Sequence, residues 1–463
     1  MTHTPHRKKK RPFRVGRRLL AATLFGALLA LLLVRPAAAE AKPWSGRIAD
    51  AYAGGTGTPD DPYRIATGDQ LARLAQRVNE GEDAKDADAH YLLVADIDLI
   101  GGPLRNWTPI GAHETRPFGG VLDGGGHAIV GLWVVGGDEE TDYAYASAGL
   151  FGRVHGDEAA IRNLVLTDVR IDVRASGRET SIAAGALAGS FYGAGGIENV
   201  SAQGAIVVRA ADAAYAGGLV GTFDGPGQLR DVRTRGTALA EAAYACAGGL
   251  AGIFEAGGVI ERAFADSDVH ATGEEEAFVG GLVGSCATES GIRDARAIGN
   301  VSLISYASAS VYAGGLVGRF SGDGIARAYA AGDVVVSAPD PTRTFAGGLA
   351  GELDSGNVPI SACYAWGNVL ADRDAKPGGL VGNLRNGEVS ACFWRRDPVS
   401  GDVNANLSAV GKTAAPQPPA IAAAALTTEA FATATHFRDA GWDFERDWQI
   451  ASGDIRPRLR SER

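Results

Sequence analysis

A zinc peptidase holds its metal with His-Glu-x-x-His, which sets two imidazoles one helical turn apart and a carboxylate beside the bound water. Only His113-Glu114 begins that pattern here, and Pro117 stands where the second histidine belongs. The serine elbow Gly-x-Ser-x-Gly, which lifts a nucleophile onto a strained turn, does not occur. Among the four cysteines, Cys246, Cys286, Cys363 and Cys392, no two make a Cys-x-x-Cys pair, so no zinc or redox motif is written in them. Asp96 and Asp98, with Asp60 or Asp61, are a local acid group that would suit a cation, although solvated strand ends are the simpler reading. No catalytic, cofactor-binding or metal-ligating residues are assigned, and no cofactor is expected.

The residues that carry chemistry in this chain must be sought on a repeat. Gly-Gly-Leu-x-Gly or a close variant recurs with its leucine at Leu150, Leu187, Leu219, Leu250, Leu282, Leu316, Leu349 and Leu380, a spacing of 31 to 37 residues. A Gly-Gly pair in every unit disfavours the helical repeats of similar period. Four residues after the leucine stand Val154, Phe191, Phe223, Phe254, Cys286, Phe320, Leu353 and Leu384. A second column holds Ile161, Ile197, Leu229, Ile260, Ile292, Ile325, Ile360 and Val389, and three residues beyond it come Leu164, Val200, Val232, Ala263, Ala295, Ala328, Cys363 and Cys392. Val269, Val301, Val334 and Val369 mark a further strand. Such a unit buries its apolar face only by stacking on its neighbours. The expected fold is an all-β, right-handed parallel β-helix with about three short strands per coil and short helical caps. The 65 glycines in 463 residues, about twice the usual share, then fill the corners.

Outward columns decide between catalysis and structure. After the core isoleucine come Arg162, Glu198, Arg230, Glu261 and Arg293, then Asp231, Arg262, Asp294 and Arg327. Signs alternate from coil to coil, which makes cross-strand charge pairs instead of the like-charge cluster that a glycan lyase or hydrolase would need. Asp268, Asn300, Asp333 and Asn368 form an Asx column of the kind that hydrogen-bonds its own turn. Cys246 shares a column with Tyr215, Phe278, Tyr312 and Phe345, and all four cysteines read as packing residues. Cys363 and Cys392 fall one coil apart, near enough for an oxidised pair although parallel stacking suits that bond poorly. The acid runs Asp138 to Glu140 and Glu274 to Glu276 read as solvated corner loops. Phe264, Tyr329, Tyr364 and Phe393 should point outward in nearby coils, either as a partner-binding strip or as the floor beneath a long segment.

The flanks complete the plan. Residues 7 to 18 are basic, 19 to 34 apolar, and Ala37-Ala38-Ala39 offers a cleavage pattern, so 1–39 reads as a signal peptide or, uncleaved, a membrane anchor. Nine of the 44 Lys+Arg and none of the 54 Asp+Glu lie there, so the remainder carries −19 and is a poor ligand for nucleic acid. Residues 40–135 are read as a cap helix, with Leu71, Leu74, Ala75 and Val78 on one face, followed by irregular first coils. The regular repeats occupy 136–402, an Ala/Pro-rich link 403–425, and an aromatic C-terminal cap 426–463.

These Gly-Gly-Leu-Val-Gly units, with the flanking segments GGTGTPDDPYRIATGDQLARLA, ADIDL, WTPIG, FGGVLDGGGHAIVGL, TTEAF and GWDFERDWQI, resemble the GLUG-motif repeats of bacterial secreted and surface proteins across roughly residues 54 to 459. The closing Arg456-Pro457-Arg458-Leu459 and the variant Gly-Ala-Leu-Ala-Gly at Leu187 depart from the pattern. The resemblance implies a β-helix in an extracytoplasmic setting, whether secreted, surface-bound or periplasmic. It also implies company with adhesin-like proteins and with the catalytic domains of some immunoglobulin-cleaving zinc peptidases. The expectation is a non-catalytic repeat protein that binds a glycan or surface protein along its side face. A polysaccharide-acting β-helix enzyme is the alternative.

Overall fold

The computed structural model describes residues 43–81, 84–137, 146–177, 180–306, 310–356, 359–372, 374–397, 403–413 and 420–462. The leader at 1–39 and the acid run Asp138 to Glu140 lie outside them. The regular coils carry four strands, one more than the column analysis supplies. In the coil that follows Leu316 they are Val317–Gly322, Ile325–Ala330, Val334–Ser337 and Thr344–Gly347. We name the faces they build A, B, C and D. Every strand pairs in parallel with its counterpart one period on, giving a β-helix of about ten turns. Face D, just before each Gly-Gly, escapes a search for long apolar runs because its inward residues are mostly alanine, as in Ala214 and Ala216.

The expected interior columns are in register and buried. Val154, Phe191, Phe223, Phe254, Cys286, Phe320, Leu353 and Leu384 follow one another along face A. The Phe191 and Phe223 rings stack at 4.9 Å, and Phe223 and Phe254 at 5.0 Å. Face B explains an oddity of the sequence: its inward residues are three apart, whereas a flat strand turns the same way every two. Between them sits a left-handed residue in coil after coil: Asn163, Asn199, Asp231, Arg262, Asp294, Arg327, Ala362 and Ala391, with φ between 50° and 55°. This stacked bulge turns Ile161 and Leu164 to the same side.

At the N-terminal side, helix α1 (Gly68–Glu80) begins at Thr67, whose side chain accepts from the Gln70 amide, and ends at left-handed Gly81. Leu71, Leu74, Ala75 and Val78 join the same core as the coils. The helix lies within the first coil, between Tyr63–Ile65 and its ladder partner His90–Leu93. At the far side two expectations are corrected. The link at 403–425 contains Ser408–Thr413 and Ile421–Leu426, which extend the A and B ladders by another coil. The cap does not sit over the end of the solenoid. Residues 427–462 turn back and run along face B as a strap, with short helices Thr428–Phe431 and Thr435–Asp439 and one antiparallel pair, Trp448–Gln449 with Arg458–Leu459.

Candidate binding groove

The aromatic strip proposed from the sequence is covered. Phe264, Tyr329, Tyr364 and Phe393 do point outward from face B, but they are 3%, 1%, 0% and 6% exposed. Phe431, Phe437, Trp442, Trp448 and Leu459 of the strap pack on them as a second core. Phe393 meets Phe437 edge-on at 4.9 Å, and Trp442 packs against Trp448 at 4.3 Å. Polar contacts fix the strap in place. The Tyr364 hydroxyl donates to the Pro457 carbonyl at 2.6 Å and the Tyr329 hydroxyl to Glu462 at 2.8 Å. Arg233 donates to the Glu462 carbonyl at 3.2 Å. The four rings therefore bind the chain's own C-terminal segment and are not an open partner surface.

The charged columns beside the bulge are paired. Arg262 grips Asp231 through two bonds of 2.6 and 2.8 Å, and Arg327 holds Asp294 at 2.7 Å twice. The hydrogen bond from Arg262 holds the Asp231 carboxyl below its usual range. Burial would raise Glu261, yet it too is held low, by the Arg293 hydrogen bond and the charges of Arg293, Arg262 and Arg230. The Asx column works between coils instead of within a turn. Asp268 accepts from the Asn300 amide at 2.8 Å, Asn300 from Asp333 at 3.0 Å, and Asp333 from Asn368 at 2.8 Å. Asp96 accepts from His127 and Ala128, while Asp61 pairs with Arg64, so these acids do not converge on a cation. The cysteines are free and buried. Cys363 and Cys392 do lie on adjacent coils, each thiol donating to main-chain carbonyls.

A second outward aromatic column contains Cys246, which packs as the sequence suggests: Cys246, Phe278 and Tyr312 are 0%, 1% and 8% exposed, while Tyr215, Tyr244 and Phe345 are half-buried. On face D, Tyr215, Cys246, Phe278, Tyr312 and Phe345 follow in register with side chains outward. Phe278 and Tyr312 stack 4.9 Å apart at 4°, and Tyr312 and Phe345 5.2 Å apart at 22°. Tyr244, two residues before Cys246, bridges Tyr215 at 6.0 Å and Phe278 at 5.5 Å. Facing this spine across the Gly-Gly-Leu corner is an outward column of face A: Ser190, Thr222, Ile253, Ser285, Arg319, Glu352, Asn383 and Lys412. Contacts across the corner bring the two columns side by side as one continuous strip, here termed the groove. Ser147 and Ser190 hydroxyls lie 3.0 Å apart, Ile253 packs on the Cys246 cluster, and the Lys412 ammonium sits 4.7 Å from the Phe345 ring centre.

The polar side chains of this strip are paired or held neutral. Glu352 is 3% exposed and lies between Arg319 at 3.3 Å and Arg385 at 3.4 Å, with Asn383 donating at 2.8 Å. Burial pushes the Tyr215 hydroxyl up to about 12 and raises Tyr312 and the Cys246 thiol, so all three stay protonated at neutral pH. In the acid run Glu274 to Glu276, Glu274 and Glu275 are exposed as expected, whereas Glu276 is half-buried. It stands in the strand Ile260–Gly280 at the groove edge, its carboxyl raised by burial. Ring faces inside the stack are spent on one another, so the strip turns mainly ring edges and polar groups outward. The signal for this groove was available: on face D, Val311 and Ala313 are inward, so Tyr312 between them must be outward. A separate shallow cleft of about 610 Å³ is lined by Asp224, Glu255 and Glu289 with Pro226, Thr288 and Ser321.

No family model matches the chain. A protein of Evansella cellulosilytica named "Putative Gly-rich membrane protein" is 38% identical over 157 residues, which is 33% of this chain and 16% of that protein. Halomucin of Haloquadratum walsbyi is 37% identical over 113 residues, 24% of this chain and 1% of that one. The chain thus spans a small fraction of the curated relatives it matches. Among solved structures, a "putative immunoglobulin A1 protease" from Bacteroides ovatus aligns over 89% of this chain and 95% of its own, at 15% identity and a TM-score of 0.43. At that distance the fold assignment rests on the strand ladders themselves.

Proposed function

We propose that this is a non-catalytic, exported β-helical repeat protein, adhesin-like or scaffolding, that binds a glycan or protein partner along the groove between faces A and D. The observation that carries this reading is the continuity of the groove. Aromatic rings and hydrogen-bonding side chains run side by side from Tyr215 to Lys412, with the half-buried Tyr215, Tyr244, Phe345 and Lys412 reaching solvent. A long shallow groove with repeated contacts suits an extended polymer, since each coil adds one modest contact. The GLUG resemblance and the names of the two relatives support an extracytoplasmic setting. Immobilised glycans and purified surface proteins, screened with the full chain, supply the test. Tyr215→Ala and Lys412→Ala should each weaken any binding by about tenfold while circular dichroism stays unchanged. Binding that ignores both substitutions would remove the groove from the reading.

A second reading, a polysaccharide-acting enzyme, draws on the cleft with Asp224, Glu255 and Glu289. It requires depolymerisation of a glycan by the purified chain that Glu255→Gln abolishes. Absence of that activity across uronate and neutral polysaccharides would reject it.

A further inference from the structure

Asn386-Gly387 is the single Asn-Gly pair in the chain. It falls at the end of the face A strand Gly378–Asn386, and Asn386 is exposed to water. Pairing fixes the main chain there: Asp354 is its ladder partner, and the Ser355 amide donates to the Asn386 carbonyl at 3.2 Å. Other asparagine side chains reach to a neighbouring coil. Asn300 accepts from the Asp333 amide, Asn383 donates to Glu352, and Asn404 accepts from the Val369 amide. The Asn386 side chain instead folds back on its own chain, where Oδ1 accepts from the Gly387 amide at 2.9 Å. That contact sets the following peptide nitrogen against the side-chain carbonyl group, the approach that closes a five-membered imide ring. Gly387 is suited to let it close. Its φ of 110° lies in the region that favours glycine, and a Cβ there would stand 2.0 Å from the oxygen of the buried Ser355 hydroxyl. The nitrogen is thus unshielded, whereas Asn163, Asn199, Asn300 and Asn368 are each followed by Leu or Val.

We propose that Asn386-Gly387 is a self-modifying site, at which the folded chain converts asparagine to aspartate and isoaspartate without an enzyme. Placing nucleophile and electrophile in adjacent residues makes the attack intramolecular. The Gly387 nitrogen gives its proton to hydroxide and attacks Cγ of Asn386. A new N–Cγ bond forms, the Cγ–Nδ2 bond breaks, and Nδ2 takes a proton from water and leaves as ammonia. Water then opens the imide. Breaking the N–Cγ bond yields aspartate, and breaking the bond to the main-chain carbonyl carbon yields isoaspartate. In sum one water is consumed and one ammonia released, with no change of oxidation state. Each event adds a negative charge in the residue after Arg385, which holds Glu352, and beside Asp354 in the ladder. Isoaspartate also lengthens the main chain by one carbon in the segment that Ser355 bonds. The chemistry needs no ligand, so it stands or falls independently of the binding function.

Peptide mass spectrometry of the aged, folded full chain tests it. After weeks at about 37 °C and about pH 8, trypsin cuts after Arg385 and Arg395 and releases residues 386–395. This peptide should gain about 1 Da and elute as two products of equal mass. The converted fraction should rise several-fold from about pH 6.5 to about pH 8, because attack requires the deprotonated nitrogen. Asn386→Gln, which would have to close a six-membered ring, should keep its original mass and an unchanged circular dichroism spectrum. Peptides that hold the exposed Asn300 and Asn406 should stay unconverted in the same digest. A 386–395 peptide that keeps its mass, or conversion of Asn300 or Asn406 as fast as Asn386, would overturn the inference.

Discussion

Two single residues show how much of this molecule is decided one side chain at a time. Phe254 is fully buried between Phe223 and Cys286 in the face A ladder. Phe254→Asp removes that ring and leaves a carboxylate with no partner, a cost of about 5 kcal/mol or more. The expected outcome is insoluble or protease-sensitive protein, and a normal melting curve would contradict the ladder. Ala362 occupies the left-handed bulge position at φ 51°, where an L-residue with a Cβ is strained. Ala362→Gly should stabilise the chain by up to about 1 kcal/mol in urea melts, the relieved strain being partly offset by the added freedom of the unfolded chain. His270 on face C has its pKa lowered from 6.5, chiefly by burial, with Asp268 opposing. Its folded form thus binds fewer protons than the unfolded chain just below pH 6.5. Stability should fall as pH drops from about 6.5 to the folded-state pKa, and His270→Gln should remove that part of the loss. Melts of dilute protein at successive pH values, comparing wild type with the variant, check the sign.

At the scale of elements, the strap is what the periodicity did not reveal. A column analysis reports which residues point outward, because strand alternation is local, and it placed Phe264, Tyr329, Tyr364 and Phe393 correctly on that score. It cannot report what lies on top of them. Trp442, Trp448 and Phe437 belong to no repeat, and their face B partners Tyr364, Tyr329 and Phe393 lie far back in the chain. The interior was legible for the opposite reason: Phe191, Phe223 and Phe254 each announce the next copy. The bulge was half legible, since two inward residues three apart demand an extra residue between them, and Asn163 and Asn199 are types that tolerate φ > 0. A chain ending at residue 426 should keep its coils but expose four aromatic side chains, each contributing about 2 kcal/mol by burial. It should bind a hydrophobic dye and melt at markedly lower temperature than the full chain, and equal melting would show the strap to be dispensable.

Across the whole molecule, the strap alters a property that repeat proteins otherwise share. Coils touch only their neighbours, so a plain solenoid unfolds piecewise from its ends. The strap contacts face B from Arg233 to Phe393 and so spans several interfaces at once. Native-state hydrogen exchange should find those coils opening as one unit with common protection, while the coils holding Val165 and Ser201, which have no bond to the strap among the described residues, exchange more independently. Exchange that declines smoothly from both ends would argue against this division. The same contact has a consequence in time. Arg233 and Glu462 are separated by 229 positions, and the segment that covers face B is made after every coil it covers. Coils can wind in order as the chain emerges, but the aromatic stripe stays bare until the strap arrives. Closing so long a loop is slow relative to pairing adjacent coils. The vulnerable species on the folding route is therefore a nearly finished solenoid with one sticky side, and its lifetime is set by a single late docking step.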